Sequence, residues 1–238
     1  MTTSTRSWPG ANEVHIWRAV LDLNHHELSK LQTYLSTDER DRADRYRSAG
    51  IRVRYIAARG WLRYLLGTYV GGEPSDLVFV RDEHGKPRLA RATWQSLSFN
   101  VSHSDGTALF AVAQGREVGI DVERVRGDVP LEVVRRYFSD AERDALAALP
   151  AGMHLRGFFE CWTRKEAYLK ATGVGLSGLV RSEVDAAAWS LHAVDAGPDY
   201  VAALAVAGSP DVPGAATWLA QNESPARPRE LGSPLVTA

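Results

Sequence analysis

The order of helical and alternating segments predicts an α+β fold of two similar lobes, each a small antiparallel sheet packed with helices. Helical patterns over residues 37–70 precede segments over 97–125 that alternate apolar and polar residues. A second helical stretch, 128–173, precedes two more predicted strands over 189–206. The two passes meet near residue 115, so the repeated order of elements indicates a duplicated unit.

The composition is typical of a globular protein without a strong overall charge. Hydrophobic residues are 45% of the 238 and the formal net charge is −1, so no general field attracts nucleic acid or membrane. The single cysteine, Cys161, excludes an intramolecular disulfide and suits a reducing compartment. No membrane span or signal peptide is apparent. We therefore expect a cytoplasmic protein without nucleic-acid or membrane partners.

The first pass opens with a strand predicted over 14–20 and a short helix over 28–35. The Ser-Thr-Asp-Glu sequence at 36–39 is a capping-box pattern that starts a helix at Thr37. Helical character continues to Val70 with a break near residues 48–50, and the second helical piece, over 51–69, has an apolar face.

The face of this helix opposite its apolar side is rich in arginine. Four of these arginines have no acidic neighbour in the sequence: Arg52, Arg54, Arg59 and Arg63. They either form a solvated helix face or bind an anion, since guanidinium forks match phosphate oxygens.

Three strands, over 97–102, 107–113 and 118–125, predict an antiparallel meander. In the third strand Asp121 and Glu123 share one face because side chains alternate. Two such carboxylates repel unless a cation lies between them, and Mg²⁺ is the natural partner. The alternative is an exposed edge strand with two solvated acids.

A helix predicted over 158–173 has its C-cap glycine at the end. Trp162, Glu166 and Lys170 form one row because positions four apart share a helix face, with Lys165 beside them. Such a group suits a phosphate-handling site. The alternative is an ordinary Glu166–Lys170 pair without function.

Two further regions of the sequence lie outside these motifs. A second capping box at 139–142 explains Glu142 as a helix cap residue. After residue 207 the chain becomes proline-rich; Trp218 predicts one more short strand, and 221–238 is predicted to be a disordered tail.

Three segments together resemble the 4′-phosphopantetheinyl transferases, in their longer, two-lobed Sfp-type form. Residues 119–123 (Gly-Ile-Asp-Val-Glu) are similar to the family's G-(I/V)-D-x-E element, and 162–170 to its W-x-x-K-E-A-x-x-K element. Residues 100–104 (Asn-Val-Ser-His-Ser), after Gly-Lys-Pro at 85–87, resemble its N-x-S-H-S and G-K-P stretches.

The resemblance implies a pseudo-dimer. Its N-terminal lobe, 1–115, would be the side of the coenzyme A nucleotide. Its C-terminal lobe, 116–220, would hold the metal and the catalytic helix.

The family moves the phosphopantetheine arm of coenzyme A onto a serine of an apo acyl or peptidyl carrier protein, forming the holo carrier and releasing 3′,5′-ADP. The resemblance implies a monomeric holo-[acyl-carrier-protein] synthase that uses Mg²⁺ or Mn²⁺, serving polyketide or nonribosomal peptide synthesis. Two alternatives are a Mg²⁺-dependent phosphodiesterase acting on a nucleotide pyrophosphate and a catalytically silent carrier-binding module. We expect the carrier to bind between the lobes, near residues 130–160.

The resemblance also implies roles for individual residues. The expected metal ligands are Asp121, Glu123, Glu166 and, as in some family members, Glu142. The expected catalytic residues are Glu166 as general base, with Lys170 and Lys165 stabilising the leaving phosphate. The expected coenzyme A contacts are Lys86, Ser102, His103, Arg54, Arg42 and Arg59. Glu39 stands where the best-known relatives have a lysine, so the basic set relies on arginines.

Overall fold

The computed structural model describes residues 6–174 and 187–208, and the backbone alone of 216–219. The helices are α1 (His25–Thr33), α2 (Thr37–Asp44), α3 (Ala49–Val70), α4 (Leu131–Tyr137), α5 (Asp140–Ala147) and α6 (His154–Thr172). The strands are β1 (Val14–Val20), β2 (Phe79–Arg81), β3 (Pro87–Leu89), β4 (Leu97–Ser104), β5 (Thr107–Gln114), β6 (Val118–Arg124), β7 (Trp189–Val194), β8 (Tyr200–Ala207) and β9 (Ala216–Leu219). The predicted tail over 221–238 lies outside the described residues.

Small sheets packed with helices confirm the α+β prediction. One sheet has the order β4-β5-β1-β9, in which β9, the strand predicted around Trp218, runs parallel to β1. A second, antiparallel sheet has the order β6-β8-β7, and β2 and β3 form a separate hairpin. The division into two similar lobes stays a prediction, because the strand orders alone do not establish a pseudo-twofold relation between the sheets.

The predicted meander of three strands is wrong in its third member. Strand β5 lies between β4 and β1, so both of its edges already carry hydrogen-bonded partners. Strand β6 pairs instead with β8 of the second sheet, where Asp121 lies opposite Ala203. Local alternation identified the strand, but the residue opposite Asp121 lies 82 positions further along the chain and was not visible locally.

The two faces of β6 have different neighbours. Val118, Ile120 and Val122 pack in an apolar cluster with residues of β1 and β5, between the two main sheets. The other face meets α6 at Gly119, where an added Cβ would lie 2.1 Å from the Ala167 carbonyl oxygen. This close approach of helix and strand brings the Asp121 face of β6 up to α6.

Helix boundaries follow the capping signals. The Ser36 capping box is present and α2 begins at Thr37, as predicted. Helix α1 begins earlier than predicted, at His25, because Asn24 forms a capping box of its own with Glu27. Helix α6 ends as predicted at Gly173, which has a left-handed φ of 77°. In the described part of the chain, no helix is both long and apolar enough to cross a membrane.

Candidate active site

Three elements meet at the carboxylate of Asp121. From α6, the Lys170 ammonium donates to Asp121 Oδ1 at 2.6 Å and to Ser102 Oγ at 2.8 Å. From β4, the Ser102 hydroxyl donates to the same Asp121 oxygen at 2.7 Å. Asp121 is only 3% exposed, which excludes the interpretation of a solvated edge-strand acid.

Two further carboxylates stand beside Asp121. Ser104, one strand period beyond Ser102, donates to Glu123 Oε2 at 2.8 Å. Burial raises the pKa of Glu123, and the nearby charge of Asp121 adds to this. Burial likewise raises the pKa of Glu166, reinforced by Asp121 and Glu123 and opposed by Lys170. Glu166 of α6 therefore lies close enough to the strand acids for their charges to repel.

The chemistry of these donors fits a divalent cation. Asp121 Oδ2 is buried and has no hydrogen-bond partner among the described residues. An unsatisfied buried acceptor is costly, and carboxylate oxygens are the ligands that Mg²⁺ prefers. Within residues 6–174 and 187–208, no three His, Cys, Asp or Glu side chains are arranged as a metal site. In the present arrangement the Lys170 ammonium forms an ion pair with the other carboxylate oxygen of Asp121, Oδ1.

Glu142 and Lys165 form a pair of their own. Glu142 closes the predicted capping box, accepting from the Ser139 backbone N–H at 2.7 Å. Both of its carboxylate oxygens also accept from the Lys165 ammonium, at 2.9 and 2.8 Å. Lys165 is 1% exposed and fixes α6 to α5. This geometry confirms the helix-cap interpretation of Glu142 and gives no support to the expected roles of Glu142 as ligand and Lys165 as catalyst.

Lys86 is directed into the fold. Its ammonium donates to Glu117 Oε2 at 2.8 Å, to the Val118 carbonyl at 2.9 Å and to the Ala171 carbonyl at 3.0 Å. Burial lowers the pKa of Lys86, although hydrogen bonding to Glu117 opposes this shift. All three donors of the ammonium are therefore engaged within the fold, and the expected contact of Lys86 with coenzyme A stays a prediction.

A basic groove of about 640 Å³ contains three of the expected coenzyme A contacts, namely Arg42, Arg59 and His103. Because residues alternate along β4, His103 faces this groove while Ser102 faces Asp121. Partial desolvation lowers the pKa of His103, and the nearby Lys170 charge lowers it further. The Arg42 guanidinium lies 5.6 Å from the centre of the Tyr55 ring, another lining residue.

Three arginines of α3 form ion pairs with acids that are distant in the sequence. Arg54 forms a bidentate pair with Asp22 at 2.8 and 3.1 Å and is not among the residues lining the groove, so its expected contact with coenzyme A stays a prediction. Arg59 and Arg63 both bind the buried Glu39. The arginine face is therefore mostly a set of ion pairs, which neither sequence interpretation included.

Two site residues were missed by the sequence reading. Ser104 binds Glu123, and the Asn100 side chain accepts from the Ile120 backbone N–H at 2.9 Å. Both share a face of β4 with Ser102, so the two-residue period was the signal that could have found them.

Comparison with known proteins covers both halves of the chain. Residues 22–115 match the N-terminal region of 4′-phosphopantetheinyl transferases, and residues 117–205 match the 4′-phosphopantetheinyl transferase superfamily.

Individual similar proteins are also phosphopantetheinyl transferases. The 4′-phosphopantetheinyl transferase HetI of Nostoc sp. is 41% identical over 211 residues, covering 83% of this chain and 89% of that protein. A phosphopantetheinyl transferase of Thraustochytrium sp. is 33% identical over 65% of this chain and 58% of its own length. The transferase Sfp of Bacillus subtilis is 26% identical over 65% of this chain and 67% of its own. With its motifs gathered around Asp121, this chain belongs to the 4′-phosphopantetheinyl transferase family.

Proposed function

We propose that this chain transfers the 4′-phosphopantetheine arm of coenzyme A to a serine of an apo acyl or peptidyl carrier protein. The observation that carries this function is the convergence of three motifs on one carboxylate, where Lys170 and Ser102 both bind Asp121. The similarity to HetI over 89% of that protein supports the same reaction. A role in polyketide or nonribosomal peptide synthesis is part of the proposal.

In the proposed reaction the serine oxygen forms a bond to the phosphorus that carries the pantetheine arm. The bond from that phosphorus to the bridging oxygen breaks, and 3′,5′-ADP leaves with the electron pair. Glu166 accepts the serine proton, which its raised pKa favours. Lys170 places a positive charge beside the departing phosphate, because phosphoryl transfer depends chiefly on positioning and charge neutralisation.

Asp121, Glu123 and Glu166 are the proposed ligands of Mg²⁺ or Mn²⁺. The bound ion would neutralise pyrophosphate charge. The buried Asp121 Oδ2, which has no hydrogen-bond partner among the described residues, supports this assignment.

The nucleotide end of coenzyme A is proposed to lie in the basic groove. Arg42 and His103 line it, and His103 directly follows the Ser102 that binds Asp121. The groove therefore begins beside the proposed reaction centre. We also propose that the protein acts as a monomer in the cytoplasm.

The test is an incubation of the purified chain with coenzyme A, Mg²⁺ and an apo carrier protein, followed by mass spectrometry of the carrier. A gain equal to the phosphopantetheine arm, with release of 3′,5′-ADP, is the expected result. Cleavage of coenzyme A without a mass gain would indicate the phosphodiesterase instead. Carrier binding without any chemistry would indicate the silent module.

A further inference from the structure

The Lys86 ammonium joins the two elements that carry the proposed catalytic side chains. It donates to the Val118 carbonyl of β6 at 2.9 Å and to the Ala171 carbonyl in the last turn of α6 at 3.0 Å. The third donation goes to Glu117 Oε2 at 2.8 Å. Because a lysine ammonium has three donors, its hydrogen-bonding capacity is used within the fold.

The contact with Ala171 completes the end of α6. The last four carbonyls of a helix have no partner inside the helix. Gly173 supplies one partner, since its backbone N–H donates to the Leu169 carbonyl at 2.8 Å. Lys86 supplies another at Ala171, and its charge also offsets the negative end of the helix dipole. The turn held in this way includes Lys170.

Lys86 acts beside a close contact between α6 and β6. An added Cβ at Gly119 would lie 2.1 Å from the Ala167 carbonyl oxygen and 2.4 Å from the Ala171 backbone nitrogen. The Val118 carbonyl beside this contact shares the Lys86 ammonium with Ala171. A single side chain therefore links strand and helix where a small shift would change their register.

The hairpin between β2 and β3 is built to direct Lys86 inward. Asp82 Oδ1 accepts from the backbone N–H groups of His84 and Lys86, at 3.0 and 2.9 Å. Gly85 adopts the left-handed φ of 82° that this turn requires. Arg88 then bridges the Asp82 and Glu117 carboxylates at 3.1 and 2.7 Å, and so holds the acid that binds Lys86.

We propose that Lys86 is a positioning residue: it holds α6 in register on β6 so that Glu166 and Lys170 meet Asp121. Its effect on catalysis rests on the proposed function, whereas its effect on α6 does not. Lys86→Met is expected to lower kcat on the order of 100-fold, since small misplacements of catalytic groups have effects of this size. The KM for coenzyme A is expected to stay unchanged.

Two measurements test the proposal. Steady-state kinetics separate kcat from KM, and hydrogen exchange followed by mass spectrometry reports on the last turn of α6. Lys86→Met is expected to raise exchange over residues 169–174 about tenfold, because the turn opens locally more often. The matched control is Lys30→Met, which removes a half-buried lysine from the last turn of α1. The control is expected to change neither readout.

The opposite pattern would overturn the proposal. A raised KM for coenzyme A, with kcat and α6 exchange unchanged, would make Lys86 a ligand of coenzyme A. If Lys86→Met does not fold, Glu117→Gln weakens the same network while keeping the ammonium, and the same two readouts apply. If the wild-type chain transfers nothing, the proposed function fails, and the exchange rates still decide whether Lys86 holds α6.

Discussion

The Lys170 ammonium lies 2.6 Å from the carboxylate of Asp121, a residue 49 positions earlier in the chain. Lys170 therefore makes its ion pair across to β6, and the helix-internal pair with Glu166 does not form. In the described part of the chain, no lysine or arginine lies within ion-pairing distance of Glu166. Glu166 thus stays available for the proton transfer proposed for it.

Glu166→Gln is predicted to lower kcat for carrier modification by about 100-fold or more, because general-base catalysis contributes at least that much. Rates of mass gain on the carrier measure the effect, and circular dichroism checks the fold. The matched control is Glu160→Gln on the same helix, a half-exposed acid paired with Arg156. Wild-type turnover by the Glu166 variant would remove it as the base.

Glu142→Gln and Asp121→Asn are predicted to have opposite effects. Glu142→Gln keeps a capping side chain but weakens the bond to the buried Lys165, so it is expected to lower stability by about 2 kcal/mol. Its kcat should stay near that of the wild type. Asp121→Asn should abolish transfer in a folded protein. Denaturant titration and carrier mass assays measure both, and severe loss of transfer by folded Glu142→Gln would restore Glu142 as a ligand.

Glu39 is predicted to make stability fall in acid. Burial alone would raise the pKa of Glu39, but the Arg59 and Arg63 guanidinium groups outweigh it and hold the pKa below the ordinary 4.5. Because the folded-state pKa is depressed, this stabilisation is complete above pH 4.5 and is lost as pH falls through the folded-state value.

Urea unfolding at several pH values tests this dependence. Glu39→Gln should reduce the loss of stability below pH 4.5. The exposed Glu132→Gln is the matched control and should leave the pH profile unchanged. Identical profiles for the wild type and Glu39→Gln would contradict the prediction.

Gly119→Ala is predicted to destabilise the fold by about 3 kcal/mol or more, the upper range for overpacking. The added Cβ would meet backbone atoms of α6 at 2.1 and 2.4 Å, and a helix backbone cannot move aside as a side chain can. Gly152→Ala is the control, since a Cβ there has no heavy atom within 4 Å. Thermal unfolding compares the two, and equal melting temperatures would contradict the close contact of α6 with β6.

Arg42→Ala is predicted to raise the KM for coenzyme A about tenfold while kcat changes little, because a charged hydrogen bond is worth roughly 1.5–3 kcal/mol. Steady-state kinetics at varied coenzyme A measure this. Arg52→Ala, which removes an exposed arginine paired with Asp44, is the control. If the difference in KM between Arg42→Ala and the wild type is smaller with dephospho-coenzyme A than with coenzyme A, Arg42 binds the 3′-phosphate.

The sequence by itself determined the local structure of this protein and the composition of its site. Caps at Ser36 and Ser139 and the left-handed Gly173 set helix ends, because a cap is satisfied within a few residues. Alternation in β6 correctly placed Asp121 and Glu123 on one face. The combination of short motifs identified the family before any contact was known.

Only the tertiary structure decided which of these groups meet. The partner of β6, the acids that bind Arg54, Arg59 and Arg63, and the inward course of Lys86 all depend on residues that are distant in the chain. An ion pair forms with the opposite charge that folding brings near, and the local sequence pattern does not indicate which residue carries that charge. For this reason the sequence motifs indicated roles for Arg54, Lys165 and Glu142, but not the ion pairs that these three residues form in the fold.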